Sequence, residues 1–194
     1  MIESSILNTL NILRRLCWPL ALALALVLDA GAADLEPPAV QVRRIGESVV
    51  VEASVLVPAS VGEVWSVLID YDHMADMFPD IESSRVLKRS GNQLQVEQKG
   101  AVRFGPFSVP FESIRDIQLF PPREVRSSVA GGSLRSGTAL TRLVQEEGGV
   151  RVVYYSESVP NVWTPPGLGP HFIARQTRTQ FENLRAEILR RKAG

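Results

Sequence analysis

Three segments of this chain each set one long polar side chain among apolar residues of the same parity. In Gln93 to Phe104, Gln98 falls with Leu94, Val96, Val102 and Phe104; in Phe107 to Leu119, Arg115 falls with Phe107, Val109, Phe111 and Ile117. In Val150 to Val159, Glu157 falls with Val153, Tyr155 and Val159. Alternate residues of an extended strand share a face, so each polar group is expected to point where its apolar companions point. A carboxamide, a guanidinium and a carboxylate in one apolar interior can hold the oxygenated head of a mainly apolar molecule. They can also move its protons, with Glu157 as base and Arg115 steadying an enolate. Two other arrangements use the same residues: an Arg115–Glu157 ion pair, or a bulge that turns one of them outward. Breaking a buried ion pair costs about 3–5 kcal/mol, so an unpaired charge in a dry core is a costly arrangement.

Few other residues offer chemistry. His171 is a second candidate base, without a visible partner. "DYDH" with Asp76 gathers three carboxylates and His73 within seven residues. With two histidines in the chain, these carboxylates are read as caps of short helices and no metal is assigned. "GGSLRSG" (Gly131 to Gly137) joins two strand-like runs, not a strand to a helix, so it lacks the context of a phosphate loop. No serine carries a nucleophile-elbow motif, and no cofactor is assigned.

The elements that position these groups are legible. "SVVVEASVLVP" (Ser48 to Pro58) alternates as a half-buried strand does. Ser60 and Glu63 form a capping box ahead of Val61, Val64, Trp65 and Leu68 at helical spacing. A second short helix carries Met74, Met77 and Phe78 and stops at Pro79. Six period-two runs follow, at Ser83 to Lys88, Gln93 to Phe104, Phe107 to Leu119, Glu124 to Val129, Leu134 to Val144 and Val150 to Val159. Connections as short as "SGN", "GP", "PP", "GG" and "EEGG" force antiparallel pairing. Ile173, Thr177, Phe181, Leu184 and Ile188 then mark one stripe of a long helix. The expectation is an α+β domain, a curved seven-stranded antiparallel sheet around its C-terminal helix, with two short helices after the first strand. Between the last strand and that helix, "SVPNVWTPPGLGPHF" is stiffened by prolines and placed at one end of the sheet. Trp163 and Phe172 there are candidate cavity walls.

The N-terminal part reads differently. Arg14 and Arg15 precede a thirteen-residue apolar run, Leu16 to Leu28, and Ala30 and Ala32 form an A-x-A site. This is a secretory signal pattern over residues 1–33, cleaved after Ala32 or Ala33, and the run falls short of the roughly 20 residues that span a bilayer. The expected location is periplasmic or secreted; the alternative is an N-terminal membrane anchor. Cys17, the sole cysteine, lies within the leader. Residues 34–47 are a proline-bearing lead-in, read as linker or edge structure, and 48–192 as the domain. With 21 basic and 21 acidic residues the formal charge is zero, which argues against a nucleic-acid partner.

The order of elements, with "VWSVLIDYDHMADMFPDIESSRVL", "LFPPREVR" and "VVYYSESVPNVWTPP", resembles the START-like (SRPBCC) superfamily. The nearest likeness is to its polyketide cyclase/dehydrase and coenzyme-Q-binding branch. The resemblance implies a helix-grip fold around a cavity for an apolar ligand, without a fixed catalytic set. The ligand contacts expected on this chain are Gln98, Phe104, Phe107, Phe111, Arg115, Tyr155, Glu157, Trp163 and Phe172. The first reading of function is an exported carrier for a lipid, isoprenoid quinone or polyketide-like molecule, with which transient membrane contact is compatible. The alternative is a cyclase or dehydratase using Glu157 or His171.

Overall fold

Valine alternating with small or polar residues makes β2 (Ser48–Val57) a strand with one interior face: Val51, Ala53, Val55 and Val57 are buried. The computed structural model describes residues 35–104, 106–160 and 169–194, with Phe104 and Phe107 as backbone only. The expected signal peptide and Trp163 lie outside the described residues. Glu36–Gly194 form one compact unit.

The sheet has eight strands where seven were expected. The extra one is β1 (Ala39–Ile45), within the proline-bearing lead-in; it pairs antiparallel with β2 across a turn in which Gly46 takes φ 60°, a conformation glycine reaches without strain. The others are β3 (Ile81–Ser90), β4 (Gln93–Phe104), β5 (Phe107–Phe120), β6 (Glu124–Gly132), β7 (Leu134–Glu146) and β8 (Gly149–Pro160). Their spatial order is β1-β2-β8-β7-β6-β5-β4-β3, antiparallel throughout. Only the step from β2 to β3 leaves the meander. It carries the chain through α1 (Val61–Leu68), a 3₁₀ turn (Tyr71–His73) and α2 (Met74–Met77) to the opposite edge. There Gly100 of β4 lets the backbone carbonyl of Asp80 approach so closely that an added Cβ would sit 1.9 Å from it.

The capping box at α1 is formed as expected: Ser60 Oγ accepts from the Glu63 amide, and the Glu63 carboxylate accepts from the Ser60 amide at 2.7 Å. Ser60→Ala is expected to cost about 1 kcal/mol, within the 0.5–2 kcal/mol range for lost caps, and Ser60→Gly only a few tenths. Urea unfolding of the two variants checks this.

The terminal helix is α3 (Pro170–Ala193), opened by Pro170 at its first position. Its 24 residues span about 36 Å, enough to run the length of strands of about ten residues. Thr177, Phe181, Leu184 and Ile188 of the expected stripe are buried, joined by Phe172. The C-terminal half of α3 packs into the main core with Val64, Trp65 and Val67 of α1.

A charged network ties this end to the 3₁₀ turn. Glu187 accepts from Arg190 and Arg191, each at 2.7 Å, and Arg191 also donates to Asp70 at 2.7 Å. The hydrogen bond from Arg190 is the main cause, with Arg191 adding to it against a penalty from partial burial, of a Glu187 pKa lowered to about 2. The folded carboxyl thus holds its proton more weakly than the unfolded one. Stability from this group is complete above about pH 4.5 and is lost as pH falls toward 2. Glu187→Gln is expected to flatten that part of the profile of urea midpoint against pH.

Candidate functional site

β4 and β5 pair without interruption, Val96 opposite Arg115 and Gln98 opposite Ser113, so the expected parity survives in both. The bulge in this region falls in β6, where Ala130 is passed over between the Ile114–Gly131 and Arg115–Val129 pairs. Gln98 and Arg115 therefore share the inner face with buried Leu94, Val96, Ile117 and Leu119.

The sheet and α3 do not close on each other along their whole length. Between them is a central chamber of about 510 Å³, lined by Phe111, Gln98, Arg115 and Tyr154 from the sheet and Phe172, Thr177 and Phe181 from α3. Leu68, Met74 and Phe78 of the short helices and the residue after them complete it. A second chamber of about 250 Å³ adjoins it, sharing Gln98, Arg115 and Thr141 and adding Tyr71 and Ser127. A third, of about 240 Å³, shares Val102, Phe111 and Phe172 and lies among the strand ends, with Val109, Leu134 and Pro160. Asp80 is the only carboxylate among the described residues lining these chambers, and it accepts a hydrogen bond from Gln176 at 2.9 Å.

Two polar groups of the lining, Arg115 and Gln98, have particular partners. Arg115 Nε donates to Ser127 Oγ at 3.1 Å, and among the described residues no carboxylate pairs with Arg115. Gln98 Nε2 lies 3.2 Å from both Ser84 Oγ and Met74 Sδ. Burial pushes the Tyr71 phenol well above its ordinary pKa, and the nearby positive charge of Arg115 works against that shift. Tyr71 is thus a neutral hydroxyl across the working pH range.

Four expected contacts, Gln98, Phe111, Arg115 and Phe172, line one cavity. Phe104 and Phe107 face each other as a backbone pair at the end of β4 and β5, their side chains lying outside the described residues. Tyr155 and Glu157 are corrected: the inner face of β8 is Val150, Val152, Tyr154 and Ser156, and the other parity faces out. Glu157 is exposed, so neither the Arg115–Glu157 ion pair nor a base at that position exists in the cavity. The pattern "VRVVYYSES" doubles its apolar residues and leaves either face plausible; the charges on Arg151 and Glu157 were the available signal against the outer one. The same slip hid Tyr154, whose ring meets Phe181 edge-on at 5.9 Å, and Ser156. His171 is exposed on the first turn of α3 and lines none of the three chambers.

Tyr155 instead borders a shallow trough of about 850 Å³ on the outer face of the sheet. This is the largest concavity among the chambers described, and several of its polar groups already bond one another or a neighbour. Gln95 donates to Asp116 at 2.9 Å, while Arg126 and Arg142 both donate to Glu124. The carboxylates around His73 do not cap helices as expected. Asp70 bonds His73 and Arg191, and Asp72 accepts from the Val86 amide at 2.8 Å. Among the described residues, no group of three or more His, Cys, Asp or Glu is placed to hold a metal ion.

Residues 57–185 match the family model described as polyketide cyclase / dehydrase and lipid transport. The chain belongs to that family. It is also similar in fold to several solved structures. The STAR-related lipid transfer protein of Xanthomonas axonopodis is 18% identical, with TM-score 0.67 over 81% of this chain and 96% of that one. TTHA0849 of Thermus thermophilus is 16% identical, with TM-score 0.61 over 72% of this chain and 97% of that one. The Zhui aromatase/cyclase of a Streptomyces species is 19% identical, with TM-score 0.56 over 74% of this chain and 95% of that one. No curated protein is detectably similar in sequence. Family and fold together suggest binding of an apolar small molecule or cyclase-type chemistry on one.

Proposed function

We propose that the protein is an exported carrier that holds an apolar small molecule between its sheet and α3. The observation that carries this reading is the central chamber: about 510 Å³, mostly apolar, with a few convergent polar groups, in the size range of small-molecule sites. The lipid, quinone and polyketide classes all meet its chemistry. Support for catalysis is weaker, because the two candidate bases, Glu157 and His171, do not line the cavity and its only carboxylate among the described residues already accepts from Gln176.

The test is organic extraction of the purified protein followed by mass spectrometry, with uptake assays on fatty acid, phospholipid and ubiquinone. Co-purifying or captured amphiphile is the expected result. A protein that is empty and takes up none of these overturns the carrier reading. Export rests on the leader pattern of residues 1–33. N-terminal sequencing of protein recovered from the cell envelope is expected to begin at residue 33 or 34; an intact leader overturns export.

A further inference from the structure

The three chambers differ in chemistry along one line. The chamber at the strand ends is walled by Val102, Val109, Pro110, Phe111, Leu134 and Phe172, with Arg43 and Arg44 at its margin. The chamber around Arg115 collects Tyr71, Gln98, Ser127 and Thr141 and, among the described residues, has no Asp or Glu in its lining. The two share no lining residue, and each shares several with the central chamber, which therefore lies between them. The cavity is thus apolar at one end and a cluster of hydrogen-bond donors around one cation at the other.

Arg115 sets the chemistry of that second end. Of its five N–H donors, Ser127 Oγ accepts from Nε, and no acceptor among the described residues engages Nη1 or Nη2. A half-buried guanidinium without a counter-charge is a costly arrangement for a protein on its own. Its open edge matches two oxygens of one anion, as in the two-pronged pairing of arginine with carboxylate or phosphate. The Tyr71 phenol lines the same chamber as a further donor.

We infer that the cavity holds amphiphiles in one orientation, with an anionic oxygen head, carboxylate or phosphate monoester, on the Nη atoms of Arg115 and the apolar tail running through the central chamber toward the strand ends. This rests on the carrier reading and adds to it a head-group charge and an orientation of the bound molecule.

The experiment is a calorimetric comparison of hexadecanoate, hexadecanol and palmitoyl lysophosphatidate on the purified protein and on Arg115→Gln, Arg115→Met and Arg115→Lys. At least one acid is expected to bind about tenfold to a hundredfold more tightly than the alcohol, the range for hydrogen bonds to a charged group. The tighter of the two acids identifies the head. Arg115→Gln and Arg115→Met are expected to erase that preference while leaving hexadecanol within about threefold, and Arg115→Lys to retain part of it. Hexadecanol binding as tightly as both acids overturns the anionic head, and an acid preference that survives in Arg115→Gln overturns its placement on Arg115; either leaves the carrier reading standing. Failure of all three to bind overturns the anionic head, and the carrier reading falls with it only if the protein is also empty and refuses phospholipid and ubiquinone. The wild-type comparison of acid with alcohol decides the matter even if a variant does not fold.

Discussion

Ile188→Ala is expected to lower the unfolding free energy by about 2–5 kcal/mol, the range for removing a large aliphatic side chain from a packed core. Ile188 has 0% of its surface exposed and sits in the main core, where α3 meets α1 and the inner face of β2. None of the three chambers reaches it, so the atoms removed leave a void that the rigid strand cannot fill. Urea unfolding gives the value directly. A loss below about 1 kcal/mol would show that this half of the helix is loosely held, contrary to the packing described.

Thr177→Trp is expected to reduce uptake of any cavity ligand by at least about a hundredfold, while overpacking costs the fold only about 1–3 kcal/mol. Thr177 lies two helical turns closer to the N-terminus of α3 than Leu184, on the same stripe, and faces the central chamber. An indole there occupies the path between the polar and apolar ends. Tyr155→Ala, on the outer face of the same sheet, is the control and is expected to leave uptake unchanged. Equal loss in the two variants would place the ligand outside the cavity.

These two substitutions sit on one stripe of one helix, yet one is expected to act on stability and the other on binding. The division follows the packing. Toward its C-terminus α3 is pressed against the short helices and β2 and held by the Glu187–Arg191–Asp70 network. Toward its N-terminus the same stripe faces the chambers. A protein that must admit a guest gives up packing on one side of its core, and the other side has to supply the stability.

Much of this was written in the chain. The alternation of β4 and β5, the stripe of α3 and the Ser60–Glu63 box are local patterns with one good solution each, and the alternation by itself puts Gln98, Phe111 and Arg115 on the interior. Two features were decided only by the folded sheet. β1 is an edge strand whose short, charged sequence carries little periodic signal, and it becomes a strand by pairing with β2. In β8 the doublets Val152–Val153 and Tyr154–Tyr155 make both faces apolar, so local pattern cannot choose between them. Register with β2 and β7 makes the choice, opposing Val152 to Val55 and Leu143 inside and leaving Tyr155 and Glu157 outside. A shift of one residue exchanges the two faces of a strand, which is why β8 gives the cavity Tyr154 and why, among the described residues, it sets no carboxylate opposite Arg115.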